Sequence, residues 1–275
     1  MLRGAYLDLD GTLLGRGASV LHDADGAFTL LGVRALDACA RAGVEVVLYS
    51  GRRQATLFHD ARILGLSSYA FEAGCGLVID GEVEWLTGDL VPRDDATIFD
   101  QIESSGAPAL LLERYAGRLE YHAPWHLGRD VSHLFRGDVD AFEADALLSE
   151  QGLGHLRLVD NGGVHPVSDA VIGWRAYHLI PGEASKARAV ARHMQIRGYA
   201  PEECIGVGDS REDMGAAEVV GAFWLVANAV ERDPSLAADA AGLGNVRVAE
   251  GSNGAGVYEA VITTLAERDG SRAAS

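Results

Sequence analysis

The chain has 275 residues, 48% of them hydrophobic and 23% charged, with a formal net charge of −17. That length and balance leave room for one large α/β domain or two smaller ones around a sizeable core, and they exclude global disorder. The acidity argues against binding a nucleic-acid backbone or an anionic membrane, while leaving space for a local basic pocket that holds a small anion.

Cys39, Cys75 and Cys204 are too few and too scattered for a disulfide framework, and they form no C-x-x-C pair. They sit among apolar neighbours and read as core residues. The N-terminus runs straight into a strand pattern without a charged and then apolar leader, and no apolar run reaches the roughly 18 residues needed to span a bilayer. A cytoplasmic location is the expectation.

Ala5 to Leu14 reads as a short buried strand that stops at Gly11, after placing Asp8 and Asp10 on one side of an extended chain. Leu36, Cys39 and Ala40 recur at helical spacing up to Gly43, and Val44–Tyr49 reads as a second strand ending in Ser50-Gly51-Arg52. Leu57, Phe58, Ala61 and Leu64 mark an amphipathic helix before a short strand at Tyr69–Phe71. This alternation predicts a parallel sheet with right-handed crossovers. After Gly81 the pattern changes to a helix from Thr97, strands at Ala109–Glu113 and Arg118–His122, a helix through Phe142–Leu148, and strands near Leu156–Val159 and Arg175–Ile180. These predict a small α+β unit with an antiparallel sheet. From Pro181 the first rhythm resumes: Ser185 caps a helix with Lys186 in its first turn, and Cys204–Val207 is a strand ending in Gly208-Asp209-Ser210-Arg211-Glu212-Asp213. Two further strands and a final helix follow. The predicted division is an α/β core of residues 1–82 and 181–275, with residues 83–180 inserted as the α+β unit.

In an open parallel sheet, functional groups gather at the C-terminal ends of strands. Three sequence-distant strands end in polar residues here: Asp8 with Asp10, Ser50, and Asp209 with Asp213. Two acids closing a buried strand are costly unless a cation or a reaction uses them, although a turn with solvated acids is the bland alternative. Asp8 and Asp209 can share a hard divalent cation, for which magnesium is the natural choice. Ser50, with the backbone N–H groups at the strand ends, including that of Gly51, suits phosphate oxygens, and Lys186 adds positive charge. Asp8 is then placed to attack phosphorus, while Asp10 protonates the leaving oxygen and later deprotonates a water.

The ordered set Asp8-Leu9-Asp10-Gly11-Thr12, Ser50, Lys186 and Gly208-Asp209-Ser210 with Asp213 resembles the four motifs of the haloacid dehalogenase (HAD) superfamily of phosphohydrolases. The resemblance implies a Rossmannoid core, Asp8 as nucleophile and Asp10 as general acid and base. It further implies magnesium held by Asp8, the Asp10 carbonyl oxygen and Asp209, with Asp213 as ligand or support. The insert is similar to the C2-type cap of the Cof-like branch, as in mannosyl-3-phosphoglycerate, sucrose-phosphate and phosphoglycolate phosphatases. Ser50-Gly51-Arg52 stands where that branch more often has Thr-Gly-Arg, and the hydroxyl is kept.

Rival motifs fail. Thr12 and Leu13 break an EF-hand loop, Arg211 stands at the third Gly of a dinucleotide fingerprint, and His122 with His126 lack a third zinc ligand. Residues 114–136 are rich in arginine and histidine within an acidic chain. Arg114, Arg118, His122 and Arg129, with Arg52, are candidate contacts for a second anionic group on the substrate, against the alternative of solvated or core-paired charges. The expected function is hydrolysis of a small phosphate ester, with a sugar phosphate or glycosyl-3-phosphoglycerate favoured. Phosphoglycolate hydrolysis, sugar phosphotransfer as in a mutase, and a non-catalytic regulatory binder are the alternatives. The expected partner is that small molecule, with neither nucleic acid nor membrane, on a monomer or homodimer.

Overall fold

The structure is a computed structural model that describes residues 1–164 and 173–273. The chain starts with β1 (Gly4–Leu7), α1 (Leu31–Ala42), β2 (Glu45–Tyr49), α2 (Gln54–Leu64), β3 (Ser68–Phe71), β4 (Gly76–Ile79) and β5 (Glu82–Trp85). It continues through α3 (Ile98–Ser104), α4 (Ala107–Arg114), β6 (Leu119–Tyr121), β7 (His133–Gly137), α5 (Ala141–Glu150), β8 (Leu156–Gly163) and β9 (Arg175–Pro181). The last stretch holds α6 (Lys186–Arg197), β10 (Cys204–Gly208), α7 (Arg211–Met214), β11 (Ala222–Leu225), α8 (Ala227–Arg232), α9 (Ser235–Ala241), β12 (Val246–Val248) and α10 (Gly254–Ala273).

Two sheets result. The larger runs β12-β11-β10-β1-β2-β3-β4-β5, parallel from β12 to β3 and antiparallel at β4 and β5. The smaller is antiparallel, in the order β6-β7-β9-β8. Each has its own apolar core. Tyr6, Leu7, Leu48, Val207 and Phe223 belong to the first, and Ile98, Leu111, Phe135, Leu148 and Leu179 to the second. Burying a side chain of that size contributes roughly 1.5–3 kcal/mol relative to exposure. The four residues of β1 are buried on both faces, as expected of a central parallel strand covered by helices. The three cysteines are buried and free. No helix among the described residues is long and apolar enough to cross a membrane.

One predicted strand is a helix. Ala109–Glu113 lies within α4, where Gly106 starts the helix and Pro108 occupies its first turn. Within 107–115 the buried residues are Ala107, Leu111 and Tyr115, together with Pro108, a four-residue spacing that three consecutive leucines hide in the sequence. Leucine is a strong helix former, and the stretch lacks β-branched residues. The partner of β6 is instead β7, and the β4–β5 hairpin extends the core sheet beyond the elements read from sequence.

Candidate active site

Parallel pairing of β1 with β2 and β10 puts the ends of these three strands side by side. After Leu7 the chain turns at once: Leu13 N–H donates to Asp8 O and Leu14 N–H to Leu9 O. Gly11 makes the turn possible. Its φ is +88°, and a Cβ there would stand 2.2 Å from Asp209 Oδ2. Gly11→Ala is therefore expected to lose ~1–2 kcal/mol through the left-handed backbone alone. It should also displace Asp209. A lowered melting temperature together with loss of turnover is the expected result, and a fully active, equally stable variant would overturn this account of the turn.

Asp209 and Asp213 are oriented by the start of α7. Ser210 Oγ accepts from Asp213 N–H and donates to Asp213 Oδ2, which also accepts from the N–H groups of Asp209 and Ser210. Asp213 Oδ1 is left to face Lys186 Nζ at 2.5 Å, and the same ammonium donates to Asp8 Oδ1 at 2.8 Å. Lys186 is the first residue of α6, capped by Ser185, whose Oγ accepts from Arg188 N–H. The helix start is seated against Gly74 (φ +87°), where a Cβ would fall 2.2 Å from Ser185 O. Asp8, Lys186, Asp209 and Asp213 are all buried, and the three acids offer oxygens within 4.8 Å of one another.

Burial raises the Asp8 carboxyl well above its ordinary value; Lys186 opposes this, and Asp213 and Asp209 add to it. Burial likewise raises Asp209, with Arg232 opposing. Burial works against the Lys186 ammonium, but Asp213 and Asp8 outweigh it and hold its pKa above the usual value. Three carboxylates face two cations, Lys186 and Arg232, so the cluster carries surplus negative charge. All-oxygen donors with surplus negative charge fit a hard divalent cation.

Asp10 lies at the rim, its side chain 46% exposed, in a bidentate pair with Arg52 at 2.6 and 2.7 Å. Arg52 also binds Asp60. Ser50 is buried, and its Oγ accepts from Arg52 N–H, which leaves the hydroxyl proton free to donate. Gly51 faces the insert, because a Cβ on it would meet His178 Nε2 at 2.7 Å and Asn161 Nδ2 at 3.0 Å.

The four candidates on the insert have diverse surroundings. The side chain of Arg129 is buried and donates to Gly51 O, Ser132 Oγ and Trp125 O. Arg118 donates to Asp138 O, and Arg114 lies over the Tyr115 ring. His122 is half-buried, and burial, followed by Arg136 and Arg129, lowers its pKa to about 4. Sequence reasoning missed Glu72, Ser132, Asn161, His178 and Arg232. Arg232 donates to Asp209 Oδ2 and Asp209 O, and its aliphatic stem lies against Gly163 of β8. Glu72 is fully buried after β3 and accepts from the N–H groups of Asp130, Val131 and Ser132. An isolated Glu before Ala73-Gly74 carries no motif; its one signal is an acid within an otherwise small and apolar stretch.

No protein-family model matches the chain. A phosphoglycolate phosphatase from Methanoculleus marisnigri is 27% identical over 241 residues, covering 86% of this chain and 89% of that protein. Among solved structures, the sucrose-phosphatase of Synechocystis sp. PCC6803 superposes with a TM-score of 0.65 at 16% identity, covering 96% of this chain and 98% of that one. A phosphatase of the HAD superfamily from Bacteroides thetaiotaomicron gives 0.63 at 16% identity, over 96% and 95% of the two chains. This chain has the haloacid dehalogenase fold. Its sequence relatives and structural neighbours include phosphatases, and the four ordered motifs gather at the strand ends of this fold. In that fold the larger sheet is the Rossmannoid core, and the smaller sheet with its helices is the cap.

Proposed function

We propose that the protein is a magnesium-dependent phosphomonoesterase that hydrolyses a small phosphorylated metabolite through an aspartyl-phosphate on Asp8. The observation that carries this reading is the buried Lys186 ammonium, bonded at once to Asp8 and Asp213 beside Asp209. A lysine confined there neutralises the groups that a phosphate dianion must approach, and phosphoryl transfer depends mainly on such positioning and neutralisation.

An Asp8 oxygen attacks phosphorus, the P–O bond to the alcohol breaks, and Asp10 gives its proton to the departing oxygen. Asp10 then takes a proton from water, the water oxygen attacks phosphorus, and the acyl-phosphate bond breaks to release inorganic phosphate and the Asp8 carboxylate. Arg52 parks Asp10 at the rim, so the pair opens for Asp10 to act. Ser50 Oγ–H, the Gly51 N–H and Lys186 hold the phosphate oxygens. Asp8, Asp209 and Asp213, with the Asp10 carbonyl oxygen, are the residues that would hold magnesium, which when bound screens the phosphate from the carboxylates. Phosphoglycolate, named for the sequence relatives, and a sugar phosphate, the class named for sucrose-phosphatase, are the two substrate classes to test. The enzyme is expected to act on its free small-molecule substrate in the cytoplasm, as a monomer or homodimer.

Phosphate release from phosphoglycolate, hexose phosphates, glycosyl-3-phosphoglycerates and nucleotides tests this. Activity should vanish with EDTA and return with magnesium, and phosphate should appear in equal amount to alcohol. Full activity in metal-free buffer would remove the metal from the reading. Alcohol formed without stoichiometric phosphate would mark transfer to a second substrate.

A further inference from the structure

The polar contacts between cap and core at Gly51 specify the proton positions of one cap residue. Ser132 Oγ has one proton and two lone pairs. It donates to Glu72 Oε2 at 2.8 Å and accepts from Arg129 Nη1 at 3.0 Å, and His178 Nδ1 lies 3.1 Å away. The hydroxyl proton goes to the charged carboxylate, the stronger acceptor, and an arginine can only donate. The remaining lone pair therefore accepts from His178, so Nδ1 carries the imidazole proton and Nε2 presents a lone pair.

That lone pair is beside the phosphate-holding loop: Nε2 is 2.7 Å from the position a Gly51 Cβ would take. Among the described residues nothing donates to it. Burial, reinforced by Arg129 and Lys186, holds the imidazole pKa well below its ordinary value, so the ring is neutral and Nε2 stays an acceptor near neutral pH. Asn161, whose Nδ2 is 3.0 Å from the same Cβ position, has a buried Oδ1 without a partner among the described residues. An acceptor at His178 Nε2 and a donor at Asn161 Nδ2, both beside Gly51, match a hydroxyl, which donates and accepts at once, whereas a carboxylate can only accept and would set its lone pairs against Nε2.

We propose that His178 is a specificity-determining residue, whose Nε2 accepts a hydrogen bond from a hydroxyl on the alcohol portion of the substrate, with Asn161 Nδ2 donating to the same hydroxyl. The proposal rests on the phosphomonoesterase reading and deepens it: the substrate class is a hydroxylated phosphate ester rather than a bare phosphorylated acid.

The test is kcat/KM of the full-length enzyme, with magnesium, on glycerol 3-phosphate and a hexose 6-phosphate against propyl phosphate and phosphoglycolate. Wild type should prefer at least one hydroxylated ester by about tenfold or more, the worth of one well-made hydrogen bond in a buried site. His178→Asn keeps an N–H near the Nδ1 position for Ser132 and removes the Nε2 acceptor, and it should bring that ratio to within about twofold. His178→Gln, whose amide reaches the Nε2 position, should restore part of the ratio even if the Asn variant folds poorly. No preference in wild type, or equal losses on both kinds of ester in both variants, would overturn the proposal. If no ester releases phosphate in an Asp8-dependent way, the phosphomonoesterase reading itself falls.

Discussion

Asp8→Asn should abolish phosphate release, with kcat falling on the order of 10³-fold or more while the fold persists. An amide neither attacks phosphorus effectively nor offers a charged oxygen to a cation, and the carboxylate replaced here is already bonded to Lys186 Nζ at 2.8 Å. Stability should change little or rise. The Asp8 carboxyl is buried among Asp213 and Asp209, and a neutral amide removes repulsion there while its oxygen still accepts from the lysine. Asp10→Asn separates the two acids. Asp10 is at the exposed rim, so cation binding by the buried cluster should survive, whereas acid and base catalysis drops by about 10²-fold or more. Rapid-quench and steady-state phosphate assays on the two variants, with magnesium titrated calorimetrically, distinguish these effects. Phosphate release at the wild-type rate by either variant would refute the assigned mechanism.

Lys186→Met should destabilise the metal-free protein by about 3–5 kcal/mol, because it leaves Asp8 and Asp213 buried without their shared cation. The methionine fills most of the volume, so the loss is electrostatic. Its sign can be checked with pH. A buried carboxyl whose folded pKa is raised loses stability as pH rises above its unfolded value and regains it as pH falls, so the variant's deficit should shrink toward acidic pH. Adding Asp213→Asn should recover part of the loss, since the two positions share one network. Magnesium should stabilise the single variant more than wild type, by supplying the missing charge. Denaturant unfolding of the three proteins, with and without magnesium, measures all of this. A Lys186→Met protein as stable as wild type at neutral pH would show that the ammonium does not offset the acids.

The strand ends were readable because the residues that serve them are local in sequence. Asp8 and Asp209 each follow a short apolar run that reads as a strand, Asp213 lies four residues beyond Asp209, and Ser185 before Lys186 is an ordinary helix start. The α4 segment was misread because Leu110-Leu111-Leu112 satisfies both a buried strand and a helix. Packing of Leu111 against the insert's core decides between them.

Sequence by itself determined the parallel core, the presence of an α+β insert, the four motifs and the chemistry of their residues, since each depends on periodicity or on residue type at a strand end. Only the tertiary structure decided how the charges pair. It turned Arg129 inward to Gly51 and Ser132, tied Asp10 to Arg52, set Arg232 against Asp209, and buried Glu72 beneath the chain at 130–132. The physical reason is that a long polar side chain has many rotamers and partners of similar energy along the sequence, and burial selects among them. A charge removed from water must find the one geometry that satisfies it, and that geometry is made by residues up to nearly two hundred positions apart.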